Sequence, residues 1–290
     1  MRLTRRRFLA ALGATGATLA VDAWLIEPHR LQVTRHTPGP RPSPGRLPIT
    51  LAQVTDLHLQ HVGPLHRRIA DHLARVRPDV VLFTGDSIDR AEKLPVFAEL
   101  LALLDLRVPS YAILGNWEHW CGVDLDALAR LYARHGGRLL VNETAVHVHR
   151  GRRLALTGLD DLVGGRPDLA AAVRGAEPAD ARVLLAHCPM HRDRLRGDSA
   201  EVRAGGALIR PAVDLDALGF RMMLSGHTHG GQVNVLGMAP VLPEGSGRYV
   251  RGWFREPGEI PLYVSRGIGT SMLPVRFGSV PEVAVFTLWV

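Results

Sequence analysis

The chain has 290 residues, 46% of them hydrophobic, enough apolar material for the core of one large domain and a composition that excludes a disordered or fibrous protein. Its formal net charge of +7 rests on arginine, Lys93 being the single lysine, and the basic residues are scattered without an aromatic-interleaved groove or zinc-finger spacing, which argues against nucleic acid as a partner. Cys121 and Cys188 are too few for a disulfide framework and read as free or buried thiols, although an oxidising compartment would allow one bridge.

At the start, Thr4-Arg5-Arg6-Arg7-Phe8-Leu9-Ala10 precedes an Ala- and Gly-rich apolar stretch that runs to about Ala20, with Asp22 the first acid. Paired arginines, Phe-Leu and a run of modest hydrophobicity form the pattern of a twin-arginine export signal, with the twin-arginine translocase as its partner. No clean Ala-x-Ala site follows, so residues 1–28 read as a signal or an N-terminal anchor, and the expected location is periplasmic or otherwise extracytoplasmic, or membrane-anchored. Residues 29–47 contain Pro38, Pro40, Pro42, Pro44 and Gly45, cannot sustain a helix, and read as a Pro-rich linker. The main domain is expected over 48–290.

From Pro48 the chain alternates β-rich runs with helical periodicity. A strand over 49–55 is followed by a helix with Leu65, Ile69, Leu73 and Val76 on one face, and then by a strand over 80–84. A helix at 92–104, a strand at 110–114 and a helix around 125–132 continue the pattern. The second half is richer in strands, at 153–157, 182–186, 222–225, 261–265 and 283–289. The reading is an α/β domain built on two sheets.

Five motifs stand where strands end, the usual place for functional groups on an α/β sheet. They are Asp56-Leu57-His58, Gly85-Asp86, Gly115-Asn116, Ala186-His187 and Gly226-His227-Thr228-His229-Gly230. Each alone has an innocent reading, a turn for a Gly-Asp or a hydrogen-bonded core residue for a lone His. Together they deliver carboxylates, imidazoles and an amide to successive strand ends, a donor set suited to manganese, iron, zinc or nickel and unlike a calcium cage or a structural zinc site.

These blocks resemble the calcineurin-like metallophosphoesterases, and Ser225-Gly226-His227-Thr228-His229-Gly230-Gly231-Gln232 is similar to a bacterial branch of exported or membrane-associated phosphodiesterases and UDP-2,3-diacylglucosamine pyrophosphatases. The flanks Leu25 to Pro28, Arg30 to Arg35 and Tyr263 to Thr270 extend the likeness over nearly the whole chain. The resemblance implies a four-layer α-β-β-α sandwich of two mixed sheets with a dinuclear metal site at the strand ends. It implies that Asp56, His58, Asp86 and His229 hold one divalent metal and Asp86, Asn116, His187 and His227 the other, with Asp86 as bridge. Two such cations, about 3.5 to 4 Å apart, would activate a shared water and clamp the phosphoryl oxygens. No Gly-x-Ser-x-Gly elbow or Walker loop offers a competing chemistry.

One departure from the family stands out. Where members read Gly-Asn-His-Asp or Gly-Asn-His-Glu, with that His protonating the leaving group, this chain has Gly115-Asn116-Trp117-Glu118-His119. Trp has no titratable proton, which favours a leaving group that needs none, such as a nucleotide phosphate. His119 is the candidate substitute acid, against a surface or supporting role. Asn116 and Trp117 are candidate substrate-binding residues, Trp117 by stacking, against packing. Arg192, Arg194, Arg196, Arg203 and Arg210 form either a site for an anionic substrate or lipid surface, or an ordinary solvated loop. Asp160-Asp161 reads as a turn or as support for a histidine.

The expected activity is therefore hydrolysis of a phosphodiester or pyrophosphate in a phosphorylated small molecule or lipid, by a monomer that can meet a membrane surface. The alternatives are a phosphomonoesterase acting on cell-envelope or small-molecule phosphates and a non-catalytic metal-binding envelope protein.

Overall fold

The computed structural model describes residues 4–39, 45–104, 107–195 and 215–290. The first helix, α1 (Arg5–Val21), widens into a π-helical turn at Asp22–Ile26 and a short 3-10 turn at Glu27–His29. The domain follows as β1 (Gln32–His36), β2 (Pro48–Val54), α2 (Pro64–Val76), β3 (Val80–Thr84), α3 (Leu94–Leu104), β4 (Ser110–Ile113), α4 (Asn116–Trp120), α5 (Leu125–Arg134) and β5 (Gly137–Leu139). The second half comprises β6 (Glu143–His149), β7 (Arg152–Gly158), α6 (Leu169–Val173), β8 (Ala181–Leu185), α7 (His191–Leu195), α8 (Leu215–Leu218), β9 (Phe220–Ser225), β10 (Gly252–Phe254), β11 (Leu262–Val264) and β12 (Glu282–Trp289).

The strands form two six-stranded sheets, ordered β1-β12-β2-β3-β4-β5 and β10-β11-β9-β8-β7-β6. Both are mixed: β2 to β5 run parallel with β12 antiparallel to β2, and β7, β8, β9 and β11 run parallel with antiparallel β6 and β10 at the edges.

Alternation within each strand explains the layers, because successive side chains point to opposite faces. In β2 and β3, Ile49, Leu51, Val80 and Leu82 pack with Leu154, Val183 and Met222 of the other sheet, forming the core between the sheets. Their neighbours Ala52, Val54, Val81 and Phe83 face outward against Ile69, Leu73, Phe97, Leu101 and Leu128 of α2, α3 and α5. Leu184 and Met223 likewise face Leu169, Ala172 and Leu195 of α6 and α7. The result is the expected α-β-β-α arrangement.

The segment before Pro48 departs from its expectation. Residues 32–36 form the edge strand β1, in register with 282–286 of β12, so part of the supposed linker belongs to the sheet. Glu27 is buried, and its carboxylate accepts the backbone N–H groups of Gly278 and Ser279. The Pro-rich reading hid this strand because its prolines lie after it, at Pro38 and beyond; Pro40, Pro42 and Pro44 fall outside the described residues. Strands β5, β6 and β10 are also additional to the sequence reading. Among the described residues no helix is long and apolar enough to cross a membrane.

Candidate metal centre

The seven expected ligands converge at the ends of β2, β3, β8 and β9 and the start of α4. Two groups of three form: Asp56, His58 and His229, and Asp86, His187 and His227, with the ligand atoms of each group within 4.8 Å of one another and all six residues buried. Asp86 touches both groups, since its Oδ2 lies 3.0 Å from His187 Nε2 and 3.6 Å from His58 Nε2. Asn116 joins the second group through Oδ1, 3.0 Å from His227 Nδ1.

The backbone is bent to bring this about. Asp56, His58, Asp86, His227 and His229 all have positive φ, between 43° and 74°, a left-handed conformation that side chains with a Cβ rarely adopt. Such strain costs on the order of 1–3 kcal/mol per residue and is characteristic of functional sites. Its effect is to turn each side chain inward where its strand stops. Gly85 completes the β3 turn at φ +94°, and a Cβ there would lie 2.5 Å from His187 Nδ1, so the close approach of the two loops requires glycine.

Hydrogen bonds on the far side of the rings fix which nitrogen faces the centre. His58 Nδ1 lies 2.6 Å from Asp89 Oδ1 and His187 Nδ1 2.7 Å from the Thr84 carbonyl, both acceptors, so each Nδ1 carries the proton and Nε2 presents a lone pair. His227 is reversed: its Nε2 donates to the Glu244 carbonyl at 2.5 Å and Nδ1 is left facing Asn116. His187 Nε2 and Asp56 Oδ2 are buried with no well-formed hydrogen bond, the former despite its 3.0 Å approach to Asp86. Buried lone pairs converging without donors are what a cation satisfies, and this donor set fits two divalent ions.

His229 fits differently. Its Nε2 lies 2.9 Å from His58 Nε2, while its Nδ1 faces the Arg276 guanidinium, a donor, at 3.1 Å. In that arrangement Nδ1 accepts and Nε2 donates to His58; offering Nε2 to a metal would move the ring proton to Nδ1. Arg276 keeps its other partners in either case, the carbonyls of Arg266, Gly269 and Ser279.

Electrostatics within the centre are uneven. Burial alone would raise Asp86, but His187, His58 and His227 outweigh it and hold the carboxyl below its usual range. Asp56 is raised, chiefly by burial. Burial and then His187 push His227 down to about 4, and burial, His58 and Arg276 push His229 well down. Neutral rings of this kind are ready to bind metal without releasing a proton.

Several supporting residues were not singled out by the sequence. Glu118 is buried, and its carboxylate accepts the backbone N–H groups of Asp86, Ser87 and Gly115 at 3.0, 2.6 and 2.8 Å. Its position three residues after Gly115 at a helix start was the available signal. Asp89 and Arg276 gave none, being ordinary loop residues until the fold brings them to His58 and His229. Gln53, in the interior of β2, donates to Thr84 Oγ1 and the Ser225 carbonyl and so ties the two sheets beneath the centre.

The centre opens into a cavity of about 640 Å³, with Asp86, Asn116, His227 and His229 at its floor and Trp117 and Trp120 among its walls. Trp117 packs edge-on against the His58 ring, with centroids 5.9 Å apart. His119 does not line this cavity. Its Nε2 is 2.7 Å from Asp160 Oδ1, the contact expected where Asp160 supports a histidine. Arg192 is likewise no solvated loop residue: it is buried and paired with Glu256 at 2.6 Å and Glu259 at 3.2 Å. Arg196, Arg203 and Arg210 lie outside the described residues. Both cysteines are free, Cys188 donating to Asp161.

Fold and site define a metal-dependent phosphoesterase. The calcineurin-like phosphoesterase family model matches residues 49–231, more than half of the chain, and the protein belongs to that family. It is 28% identical over 302 residues to the uncharacterized metallophosphoesterase YkuE of Bacillus subtilis (strain 168), covering 99% of this chain and 98% of that protein. It is 29% identical over 295 residues to the phosphodiesterase YaeI of Escherichia coli (strain K12), covering 99% of each. Among solved structures, a 5'-nucleotidase precursor from Thermus thermophilus aligns with a TM-score of 0.46 and 16% identity, over 83% of this chain and 54% of that one.

Proposed function

We propose that the protein is a dinuclear phosphohydrolase that cleaves a phosphodiester or pyrophosphate bond, with a nucleotide-lipid such as UDP-2,3-diacylglucosamine as the substrate class. The observation that carries this reading is Asp86 Oδ2, set between an imidazole of each ligand group. Asp56, His58, Asp86 and His229 would hold one metal, and Asp86, Asn116, His187 and His227 the other. Bound there, divalent ions supply Lewis-acid polarisation of the phosphoryl group and of water. Manganese, iron, zinc and nickel all suit this donor set.

The chain's own residues supply position. Asp89, Thr84 and Glu244 orient the rings, and Glu118 fixes the loops. Apart from the ligand candidates, Glu244 at the exposed edge is the only titratable group lining the cavity among the described residues. A leaving group with a low pKa of its own, as in a pyrophosphate, needs no donor there.

The test is turnover by the full chain with manganese, comparing UDP-2,3-diacylglucosamine, bis-p-nitrophenyl phosphate and p-nitrophenyl phosphate. A chain cut at Pro48 would lack β1 and the Glu27 contacts. Diester or pyrophosphate cleavage is the expected result, and preferential monoester cleavage would replace this reading with a phosphomonoesterase. If Asp86→Asn left turnover and metal content unchanged, Asp86 would not be the bridge. The Arg5-Arg6-Arg7-Phe8-Leu9 start supports twin-arginine export to the envelope, and retention in the cytoplasm after replacing Arg5 and Arg6 by Lys is the expected outcome.

A further inference from the structure

The cavity grades from a polar floor to an apolar mouth. Its walls include Trp120, Val241, Met272 and Leu273, of which Met272 is 92% and Val241 77% exposed. Leu236 and Met238, on the loop that leads to Val241, are 95% and 68% exposed. Large exposed apolar side chains at a site entrance and on the loop that leads to it have the character of a contact surface.

These tips are held outward by built turns. Val235 and Met238 exchange backbone hydrogen bonds of 2.9 and 3.0 Å, presenting Leu236 at the apex. Gln232 clamps the second loop, its Oε1 accepting Ser271 N at 2.8 Å and its Nε2 donating to the carbonyls of Ser271 and Leu273 at 3.0 and 3.1 Å. Leu236 and Met272 themselves have positive φ, which the clamps sustain.

A second apolar feature converges on the same loop. Arg276 N donates to the Ala23 carbonyl at 2.9 Å, and Glu27 binds Gly278 and Ser279. The N-terminal segment, with Trp24 54% and Leu25 63% exposed, is thereby fastened to the stretch that directly follows Met272 and Leu273.

We propose that this rim seats the mouth of the cavity on a lipid layer, so that a lipid in the layer reaches the ligand floor with its phosphorylated head group while its chains stay at the mouth. For the fate of that head group the proposal rests on the phosphohydrolase reading. An amphiphile has the same polar-to-apolar order as the cavity. A second copy seated on the rim would instead shut the entrance.

The experiment is cosedimentation of the full chain with vesicles of phosphatidylcholine and phosphatidylglycerol. Wild type is compared with Leu236→Ser/Met238→Ser and with Trp24→Ser/Leu25→Ser, and turnover of soluble bis-p-nitrophenyl phosphate is followed in parallel. The Leu236/Met238 variant is expected to bind vesicles about tenfold more weakly, with soluble-diester turnover and melting temperature unchanged. Absence of vesicle binding by wild type, wild-type binding by the Leu236/Met238 variant, or loss confined to the Trp24/Leu25 variant would overturn the docking proposal. So would rim-dependent self-association in sedimentation velocity. If the Leu236/Met238 variant misfolds, the single change Leu236→Ser at the turn apex carries the same comparison. Rim-dependent binding by a chain that cleaves none of bis-p-nitrophenyl phosphate, UDP-2,3-diacylglucosamine and p-nitrophenyl phosphate would sink the phosphohydrolase reading and leave the docking surface standing.

Discussion

Glu118 holds Asp86 by its backbone: the carboxylate accepts the Asp86 N–H at 3.0 Å and reaches the neighbouring Ser87 and Gly115 N–H groups with the same two oxygens. The turn after β3 and the turn after β4 are therefore set by one buried acid. Glu118→Gln replaces one acceptor oxygen with an NH2 that confronts an N–H. Loss of about 2 kcal/mol of stability is expected, in line with hydrogen bonds to charged groups, with a fall in bound metal; thermal denaturation and elemental analysis measure the two.

Asp89 acts at one remove, through the 2.6 Å contact with His58 Nδ1. Asp89→Asn can still accept a hydrogen bond but removes the charge that fixes the tautomer. Metal affinity should fall about 10- to 100-fold, the usual effect of losing such a partner, with little change in secondary structure. Metal titration checks this.

Removing metal should destabilise the fold, because buried groups such as Asp56 Oδ2 and His187 Nε2 have no well-formed hydrogen bond within the protein. Chelation should lower the melting temperature and manganese should restore it, a gain of about 2.7 kcal/mol when free metal is 100-fold above its Kd. Identical melting curves with and without chelator would contradict the centre.

The His119–Asp160 pair gives a pH signature away from the ligands. The Asp160 hydrogen bond raises His119, while burial opposes and Asp161 and Glu118 assist. Burial would raise Asp160, but His119 and the backbone donors Arg166 and Asp161 lower it. A raised His stabilises fully below its unfolded value of 6.5 and loses that contribution as pH rises through its folded value; a lowered Asp stabilises above 3.8 and loses it as pH falls. The stability gap between wild type and His119→Asn should therefore be largest between these limits and shrink on both sides, as denaturant titrations across pH would show.

Gly85→Ala tests the strained turn. The added Cβ meets His187 and the Gly115 backbone while φ stays at +94°. Destabilisation above about 1 kcal/mol is expected for Ala at an incompatible φ, together with loss of metal from the His187 group.

The strand ends and their ligands were legible because glycine, carboxylate and imidazole recur wherever a β-rich run stops. The four layers came from the family resemblance, because β3 reads as an unbroken apolar run in which only the packing distinguishes the two faces. What escaped was non-local. Residues 32–36 carry no strong strand pattern and become a strand only because β12 offers an edge, and β10 is a three-residue strand defined by its partner. Asp89, Arg276 and Glu118 acquire roles only when loops far apart in sequence meet. Of His119 only the spacing from Asn116 was visible, whereas its partner Asp160 follows a strand of the other sheet.

The position of β12 between β1 and β2 also dictates a timetable for synthesis. Thr34 donates to Glu282 across 248 positions, and β2, which delivers Asp56 and His58, has β12 as one of its two neighbours. The first sheet cannot close until residues 282–289 have left the ribosome, so β2 waits with an open edge while the second sheet is being made. The centre is thus completed only once β12 is available, and a nascent chain stalled before Glu282 carries every ligand yet lacks the strand that sets two of them in place.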